Sequence, residues 1–178
     1  MKTVQLKDRT FRLSIPSEKI QEEVKRVAEQ INTDLEGKNP IFLCVLNGAF
    51  MFAADLMKYV TIPCEITFVK LSSYSGVMST GTVKEVIGLN EDVEGRTIVI
   101  VEDIIDTGLT IEKILDSLHR FHPADIKVAS FLQKPEALKV QVPLDYIAIK
   151  IPNDFIVGYG LDYDGYGRNL TDIYTVVN

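Results

Sequence analysis

Two adjacent carboxylates, Glu102 and Asp103, directly follow a run of four β-branched apolar residues, Ile98 to Val101. Such a run is typical of a strand buried on both faces of a parallel sheet, so the carboxylates are expected at a crevice mouth, exposed to solvent. Adjacent carboxylates can accept hydrogen bonds from a vicinal diol, such as the 2- and 3-hydroxyls of ribose. They can also hold Mg²⁺ that a pyrophosphate ligates at the same time.

A short loop of small and hydroxyl-bearing residues comes next and leads into an amphipathic helix. Its members are Asp106, Thr107, Gly108, Leu109 and Thr110. Unpaired backbone N–H groups at a helix N-terminus favour a phosphate, and Gly108 allows the backbone to approach closely. Because the loop lacks the Gly-Lys-Ser/Thr ending of a nucleoside-triphosphate loop and the three-glycine dinucleotide pattern, we expect it to bind a single phosphate. Loop and carboxylates together indicate a site for a phosphorylated, activated ribose.

The elements that must position these residues follow an α/β order. Ser17 is the predicted N-cap of an amphipathic helix that ends before Gly37 and Pro40, and Asn47-Gly48 terminates the buried strand after it. A returning helix is predicted over residues 49–57, and strands over residues 41–46, 65–70, 97–101, 126–132 and 146–149. Right-handed crossovers would join these strands into a twisted, mainly parallel sheet flanked by helices.

One segment, residues 71–82, fits no packed element. It is dominated by small polar residues and contains two glycines, and a loop of this length in a compact domain is usually functional or disordered. We expect a flexible lid, because bond breaking at the anomeric carbon of ribose develops a charge that water would intercept.

Composition restricts the class of protein further. The 178 residues with 46% apolar composition predict a single domain over residues 1–178. No apolar run approaches the ~20 residues of a membrane span, and the first residues lack the apolar region of a secretory signal, so we expect a cytoplasmic protein with no membrane partner. The formal charge of −6 argues against a nucleic-acid partner.

The C-terminal third supplies groups that a purine base would need. Lys134 follows a predicted strand and can donate to an exocyclic oxygen but not usefully to an exocyclic amine, which would select an oxopurine over adenine. The segment 152–163 offers the Phe155 ring for stacking, backbone groups for the base edge and the Asp162 carboxylate.

The segment Val101 to Thr110 resembles the signature of the type I phosphoribosyltransferases, which bind 5-phosphoribosyl-1-pyrophosphate. From about Leu46 to Arg168 the chain resembles the hypoxanthine-guanine branch of that family. The resemblance implies the type I phosphoribosyltransferase fold with a small base-binding hood. It also implies Mg²⁺-dependent purine salvage, in which the 5-phosphoribosyl group passes to hypoxanthine, guanine or both, and a homodimer or homotetramer.

The resemblance also implies residue roles. Residues 106 to 110 would hold the 5-phosphate, with Asp106 also acting as the base at the purine imidazole nitrogen. Glu102 and Asp103 would hold the ribose hydroxyls or Mg²⁺, and Asp162 a second Mg²⁺. The other residues assigned to phosphoribosyl pyrophosphate are Leu46, Asn47, Gly48, Ser73, Tyr74 and Arg168, and those assigned to the purine are Lys134, Phe155, Ile156 and Asp162.

Two positions depart from the family pattern: some members have lysine at the position of Asn47, and lysine is often found at the position of Leu109. Asn47 offers no charge to pyrophosphate, and Leu109 leaves phosphate binding to backbone amides and threonines. Two alternative functions stay open at this point: a xanthine-preferring phosphoribosyltransferase, and a regulator that senses phosphoribosyl pyrophosphate on the same fold.

Overall fold

A computed structural model describes residues 2–72, 84–87 and 89–177. The expected lid over residues 71–82 lies outside the described residues from Ser73 and Tyr74 onward, and its first two residues, Leu71 and Ser72, belong instead to a strand. In chain order the elements are β1 (Thr3–Leu6), β2 (Arg9–Ile15), α1 (Ser17–Asp34), β3 (Ile41–Leu46), α2 (Phe50–Tyr59), β4 (Glu65–Ser72), β5 (Lys84–Ile87), β6 (Thr97–Ile105), α3 (Leu109–His119), β7 (Asp125–Gln133), β8 (Tyr146–Lys150), β9 (Ile156–Val157) and β10 (Ile173–Val176).

The larger sheet has the strand order β5-β4-β3-β6-β7-β8. Neighbours from β4 to β8 are parallel, and β5 pairs antiparallel at the edge. Helices cover both faces of this sheet. Alternate residues of β3 point to opposite faces, and Phe42 and Cys44 pack with α1 and α2, whereas Ile41, Leu43 and Val45 pack with α3. The expected parallel sheet flanked by helices is confirmed.

A second sheet, which we call the hood, is antiparallel with the order β1-β2-β10-β9. It joins the first residues of the chain to the last, and Phe11, Val157 and Tyr174 form its buried centre. The strands β1, β2 and β10 were not predicted from the sequence, although Phe11, Leu13 and Ile15 alternate with polar residues in the pattern of a half-buried strand.

The predicted N-cap of α1 was wrong. Pro16 occupies the cap position without a side-chain hydrogen bond, and the Ser17 N–H donates instead to Asp172 Oδ1 at 2.8 Å. Lys2 Nζ also donates to Asp172, at 2.6 Å to Oδ2, so this buried carboxylate ties the chain start, α1 and the hood together. No helix in the described part of the chain is long and apolar enough to cross a membrane.

Candidate active site

A cavity of about 440 Å³ opens at the carboxyl ends of β3 and β6. Parallel strands of an open sheet present their carboxyl ends at one edge, where ligands bind in crevices. The lining includes most of the residues that the sequence assigned to phosphoribosyl pyrophosphate: Leu46, Asn47, Gly48, Glu102, Asp103, Asp106, Thr107, Gly108, Thr110 and Arg168. It also includes Asp162, which was assigned to the purine and a second Mg²⁺. The apolar part of the wall is contributed by Val45, Leu71, Ile104, Ile105 and Ile111.

The carboxylate pair lies inside β6 and not beyond its end, because the strand continues to Ile105. The expectation that the pair is exposed to solvent was wrong for Glu102, which is 5% exposed. Burial and then the neighbouring Asp103 charge raise the pKa of Glu102 well above its ordinary value. Burial also raises the pKa of Asp103, although the Ile104 N–H donates to its Oδ1 at 2.7 Å.

Gly48 lies directly against Asp103. A methyl group at position 48 would overlap the Asp103 carboxylate, with the carboxyl carbon only 2.6 Å away. The Gly48 carbonyl in turn lies against Gly160, where an added methyl would overlap the carbonyl oxygen. The Leu46–Asn47 peptide bond that precedes this contact is cis. Glycine is therefore required at both positions for the segments 46–48 and 158–160 to approach this closely.

The loop after β6 has the geometry expected of a phosphate-binding helix start. Gly108 adopts a left-handed conformation with φ of 85°, and α3 begins at the next residue, Leu109. The Thr107 hydroxyl accepts from the Leu109 N–H at 3.4 Å, and the Thr107 carbonyl accepts from the Lys139 N–H at 2.9 Å. The Leu109 side chain is 41% exposed and does not line the cavity, so the first-turn amides are what this loop presents.

Lys134 is brought next to Asp106, although 28 positions separate them in the sequence. The Lys134 Nζ lies 3.9 Å from Asp106 Oδ2, and the lysine side chain is 11% exposed against 50% for the aspartate. The Lys134 N–H donates to the Ile105 carbonyl at 2.9 Å, which holds the end of β7 against the end of β6. The amino group that the sequence assigned to the base therefore lies beside the carboxylate assigned as proton acceptor, although Lys134 itself does not line the cavity.

Asp162 and Arg168 reach the cavity from the loop between β9 and β10. Arg168 donates through Nη1 to the Gly160 carbonyl at 2.7 Å, and its Nη2 lies 3.1 Å from Asp162 Oδ1. The Gly165 N–H donates to Asp162 Oδ2 at 2.7 Å. One guanidinium and one carboxylate therefore stand together at this wall.

Ile156 begins the short strand β9 and Phe155 directly precedes it, and neither lines the cavity. The Phe155 ring is 45% exposed and meets the Tyr163 ring edge-on, with centroids 5.8 Å apart. Ile156 is buried and pairs with Thr175 of β10. An exposed ring beside a buried strand is suited to stacking a planar ligand.

Sequence reasoning missed the groups that hold Phe155 in place. Tyr163 also contacts Phe11 of β2, with centroids 5.8 Å apart, and its hydroxyl donates to Asp8 at 2.8 Å in the turn before β2. The aromatic residues alone could have suggested a cluster, but no local pattern links position 8 to position 163.

Metal binding at this cavity would depend on more than the side chains of the protein. Within the described ranges no group of three or more His, Cys, Asp or Glu side chains is arranged to hold a metal ion. Any divalent cation at the Glu102–Asp103 pair would need further oxygen ligands from water or from a bound phosphate. Mg²⁺ is usually bound in this way, by one or two carboxylates together with substrate phosphates.

Comparisons with known proteins agree with this geometry. Residues 16–164 match the phosphoribosyl transferase domain. The chain is 38% identical over 174 residues to the hypoxanthine-guanine phosphoribosyltransferase of Aquifex aeolicus, covering 97% of this chain and 98% of that protein. It is 44% identical over 147 residues to the enzyme of the same name from Streptococcus pyogenes, covering 82% of each. A crystal structure of a hypoxanthine-guanine phosphoribosyltransferase from Bacillus anthracis superposes with a TM-score of 0.87 at 38% identity, covering 93% of this chain and 96% of that one.

Proposed function

This chain belongs to the phosphoribosyl transferase domain family, and from that premise we propose that it is a purine-salvage hypoxanthine-guanine phosphoribosyltransferase, a pentosyltransferase. It transfers the 5-phosphoribosyl group from phosphoribosyl pyrophosphate to hypoxanthine or guanine and forms IMP or GMP with pyrophosphate. The relatives that carry this name match nearly the full chain.

The observation that carries the proposal is the convergence of three kinds of group on one cavity. The loop 106–110 presents helix N-terminal amides for the 5-phosphate. The Glu102–Asp103 pair lies near the end of β6, directly before this loop. Arg168 and segment 46–48 also line the cavity and meet through Gly160, and a pyrophosphate group would lie beside them. A sugar that carries both a phosphate and a pyrophosphate fits this set of groups.

The reaction exchanges one bond at the anomeric carbon of ribose for another. The purine imidazole nitrogen forms a bond to that carbon, the bond from the carbon to the pyrophosphate oxygen breaks, and the nitrogen gives up its proton. Asp106 is the acceptor in this proposal, since its carboxylate is half exposed at the cavity and lies beside Lys134.

Base recognition depends on Lys134, Phe155 and Ile156. Lys134 Nζ donates to the 6-oxo group, the exposed face of Phe155 stacks on the purine, and the backbone of Ile156 meets the base edge. A buried ammonium that faces an exocyclic amine would find no acceptor, so adenine is rejected.

Magnesium fits the donor set, since two adjacent carboxylates line the cavity and no lysine or arginine of the described residues is paired with either one. Glu102 and Asp103 would hold one ion, and Asp162 a second. Bound Mg²⁺ would neutralise charge on the departing pyrophosphate.

We further propose a cytoplasmic homodimer or homotetramer. Ile66 and Phe68, which are 38% and 43% exposed, lie two residues apart on one face of β4, and exposed apolar residues on a sheet favour contact with another subunit. Cys44 and Cys64 are both free thiols, which suits a reducing compartment. Sedimentation velocity tests the assembly.

A product assay tests the function directly. Purified protein is supplied with phosphoribosyl pyrophosphate, Mg²⁺ and one of hypoxanthine, guanine, xanthine or adenine, and the nucleotide is measured. IMP and GMP formation that stops with a chelator is the expected result. Nucleotide from xanthine alone would favour the xanthine-preferring alternative, and phosphoribosyl pyrophosphate binding without any nucleotide would favour the regulator.

A further inference from the structure

Tyr159 occupies a backbone conformation that a tyrosine rarely adopts. It is the centre of the turn Gly158-Tyr159-Gly160, whose φ angles are 104°, 46° and 98°. A non-glycine residue with positive φ is strained, and such strain persists only where the surroundings over-determine it. The Tyr159 ring is 2% exposed and packs on Phe131, with ring centroids 4.8 Å apart.

The tyrosine hydroxyl ties this turn to helix α2. It donates to Asp55 Oδ2 at 2.5 Å, and Asp55 also accepts from Gln21 Nε2 at 2.8 Å and from Lys58 Nζ at 2.9 Å. Burial and then the hydrogen bond to Asp55 raise the pKa of Tyr159, so the hydroxyl keeps its proton and remains a donor. Hydrogen bonds to a charged acceptor are about twice as strong as neutral ones.

The two segments that this hydrogen bond connects both form the cavity wall. Helix α2 begins two residues after Gly48, and the Gly48 carbonyl lies against Gly160, the residue after Tyr159. The Gly160 carbonyl accepts from Arg168, which pairs with Asp162. Tyr159 and Asp55 themselves do not line the cavity.

We propose that Tyr159 and Asp55 are positioning residues that hold segment 46–48 and the Gly160–Arg168 wall at the spacing needed to bind phosphoribosyl pyrophosphate. This role deepens the proposed function and rests on it. The hydrogen bond from the Tyr159 hydroxyl fixes the turn, and the backbone of the turn holds the cavity wall. Asp55 supplies the charged acceptor for that hydroxyl.

The test compares two buried tyrosines that make the same kind of hydrogen bond. Tyr159→Phe removes the bond to Asp55, and Tyr146→Phe removes a bond from Tyr146, 3% exposed, to Asp34 Oδ2 at 3.0 Å on helix α1. Loss of a hydrogen bond to a charged group changes an equilibrium by a factor of ~10 or more. Tyr159→Phe should therefore raise the KM for phosphoribosyl pyrophosphate about tenfold and leave kcat within about threefold of wild type.

In urea denaturation, Tyr146→Phe is expected to lose about as much free energy of unfolding as Tyr159→Phe loses. Its KM for phosphoribosyl pyrophosphate should be unchanged. An unchanged KM in Tyr159→Phe would overturn the positioning role, and so would an equal rise in both variants. If Tyr159→Phe does not fold, Asp55→Asn replaces it, with Asp34→Asn as its control. The asparagine side chain keeps one acceptor oxygen, so a KM between wild type and tenfold is expected, and no change would overturn the proposal.

Hydrogen exchange separates this proposal from the proposed function. The Gly160 N–H donates to the Arg168 carbonyl at 3.0 Å, and the Leu161 N–H donates to the Gly158 carbonyl at 2.9 Å. Tyr159→Phe should speed exchange of both amides about tenfold, and Tyr146→Phe should not. A wild-type protein that makes no nucleotide refutes the function alone, whereas unchanged exchange at these two amides refutes the positioning role.

Discussion

Gly48→Ala tests whether the close contact between segment 46–48 and the carboxylate pair matters for catalysis. An ideal Cβ at position 48 would stand 2.6 Å from the Asp103 carboxyl carbon and 3.2 Å from its Cβ. Because carbon atoms at optimal contact lie ~3.5–4.0 Å apart, the carboxyl group or the loop must withdraw by roughly 1 Å. A displacement of this size near reacting groups costs ~10²-fold in rate. We expect kcat/KM for phosphoribosyl pyrophosphate to fall by that factor in the nucleotide assay.

Gly37→Ala is the matched control for loss of stability. Gly37 has φ of 75° and no heavy atom within 4 Å of an added Cβ, so alanine there meets only the left-handed backbone penalty of ~1–2 kcal/mol. This control should lower the urea midpoint and keep full activity. If Gly48→Ala retains kcat/KM within threefold of wild type, the contact does not position Asp103 and the reasoning fails.

Other substitutions test individual roles. Asp106→Asn keeps the size of the side chain but removes the proton acceptor, so kcat should fall ~10²–10⁴-fold; near-wild-type turnover would exclude Asp106 as the base. Lys134→Ala should reduce kcat/KM for hypoxanthine and guanine ~10-fold or more, while the residual activity with adenine changes little. An unaltered preference for oxopurines over adenine would show that Lys134 does not recognise the base. Burial and the Asp103 charge disfavour the charged form of Glu102 in the folded protein, and glutamine has no charged form, so in Glu102→Gln the melting temperature in chelator should rise by about 2–4 °C while phosphoribosyl pyrophosphate binding weakens; a lower melting temperature would contradict that cost. Hydrogen bonding from Lys2 lowers the pKa of Asp172, so its contribution to stability is present above the ordinary pKa and lost as pH falls through the lowered one. Asp172→Asn should cost ~1–3 kcal/mol in urea unfolding at pH 7 and less at pH 3, and an equal cost at both would contradict this assignment.

The strand that carries the carboxylate pair and the phosphate loop after it could be predicted, because the sequence patterns that indicate them are local. The run Ile98 to Val101, the glycine at position 108 and the helical spacing after it all lie within about two dozen consecutive residues. Strand periodicity, helix starts and left-handed glycines depend mainly on neighbours along the chain. The parallel order of the large sheet followed from the alternation of such units.

The burial of Glu102 and the hood were decided by contacts between distant parts of the chain. Glu102 is buried in a strand that lies between β3 and β7 in the interior of the sheet, and the hood forms because the chain start pairs with its end. Asp172 replaces the expected Ser17 cap from 155 positions away.

The amino-acid sequence by itself thus determined which chemical groups the site contains: the carboxylate pair, the phosphate loop, the lysine and the stacking ring. Only the tertiary structure decided which of them meet, since Gly48 against Asp103, Gly160 against Gly48 and Lys134 beside Asp106 are contacts between separate elements. The physical reason is that residue type sets what a side chain can donate, accept or bury. Desolvation and spacing, by contrast, arise only when strands that are far apart in sequence pack side by side.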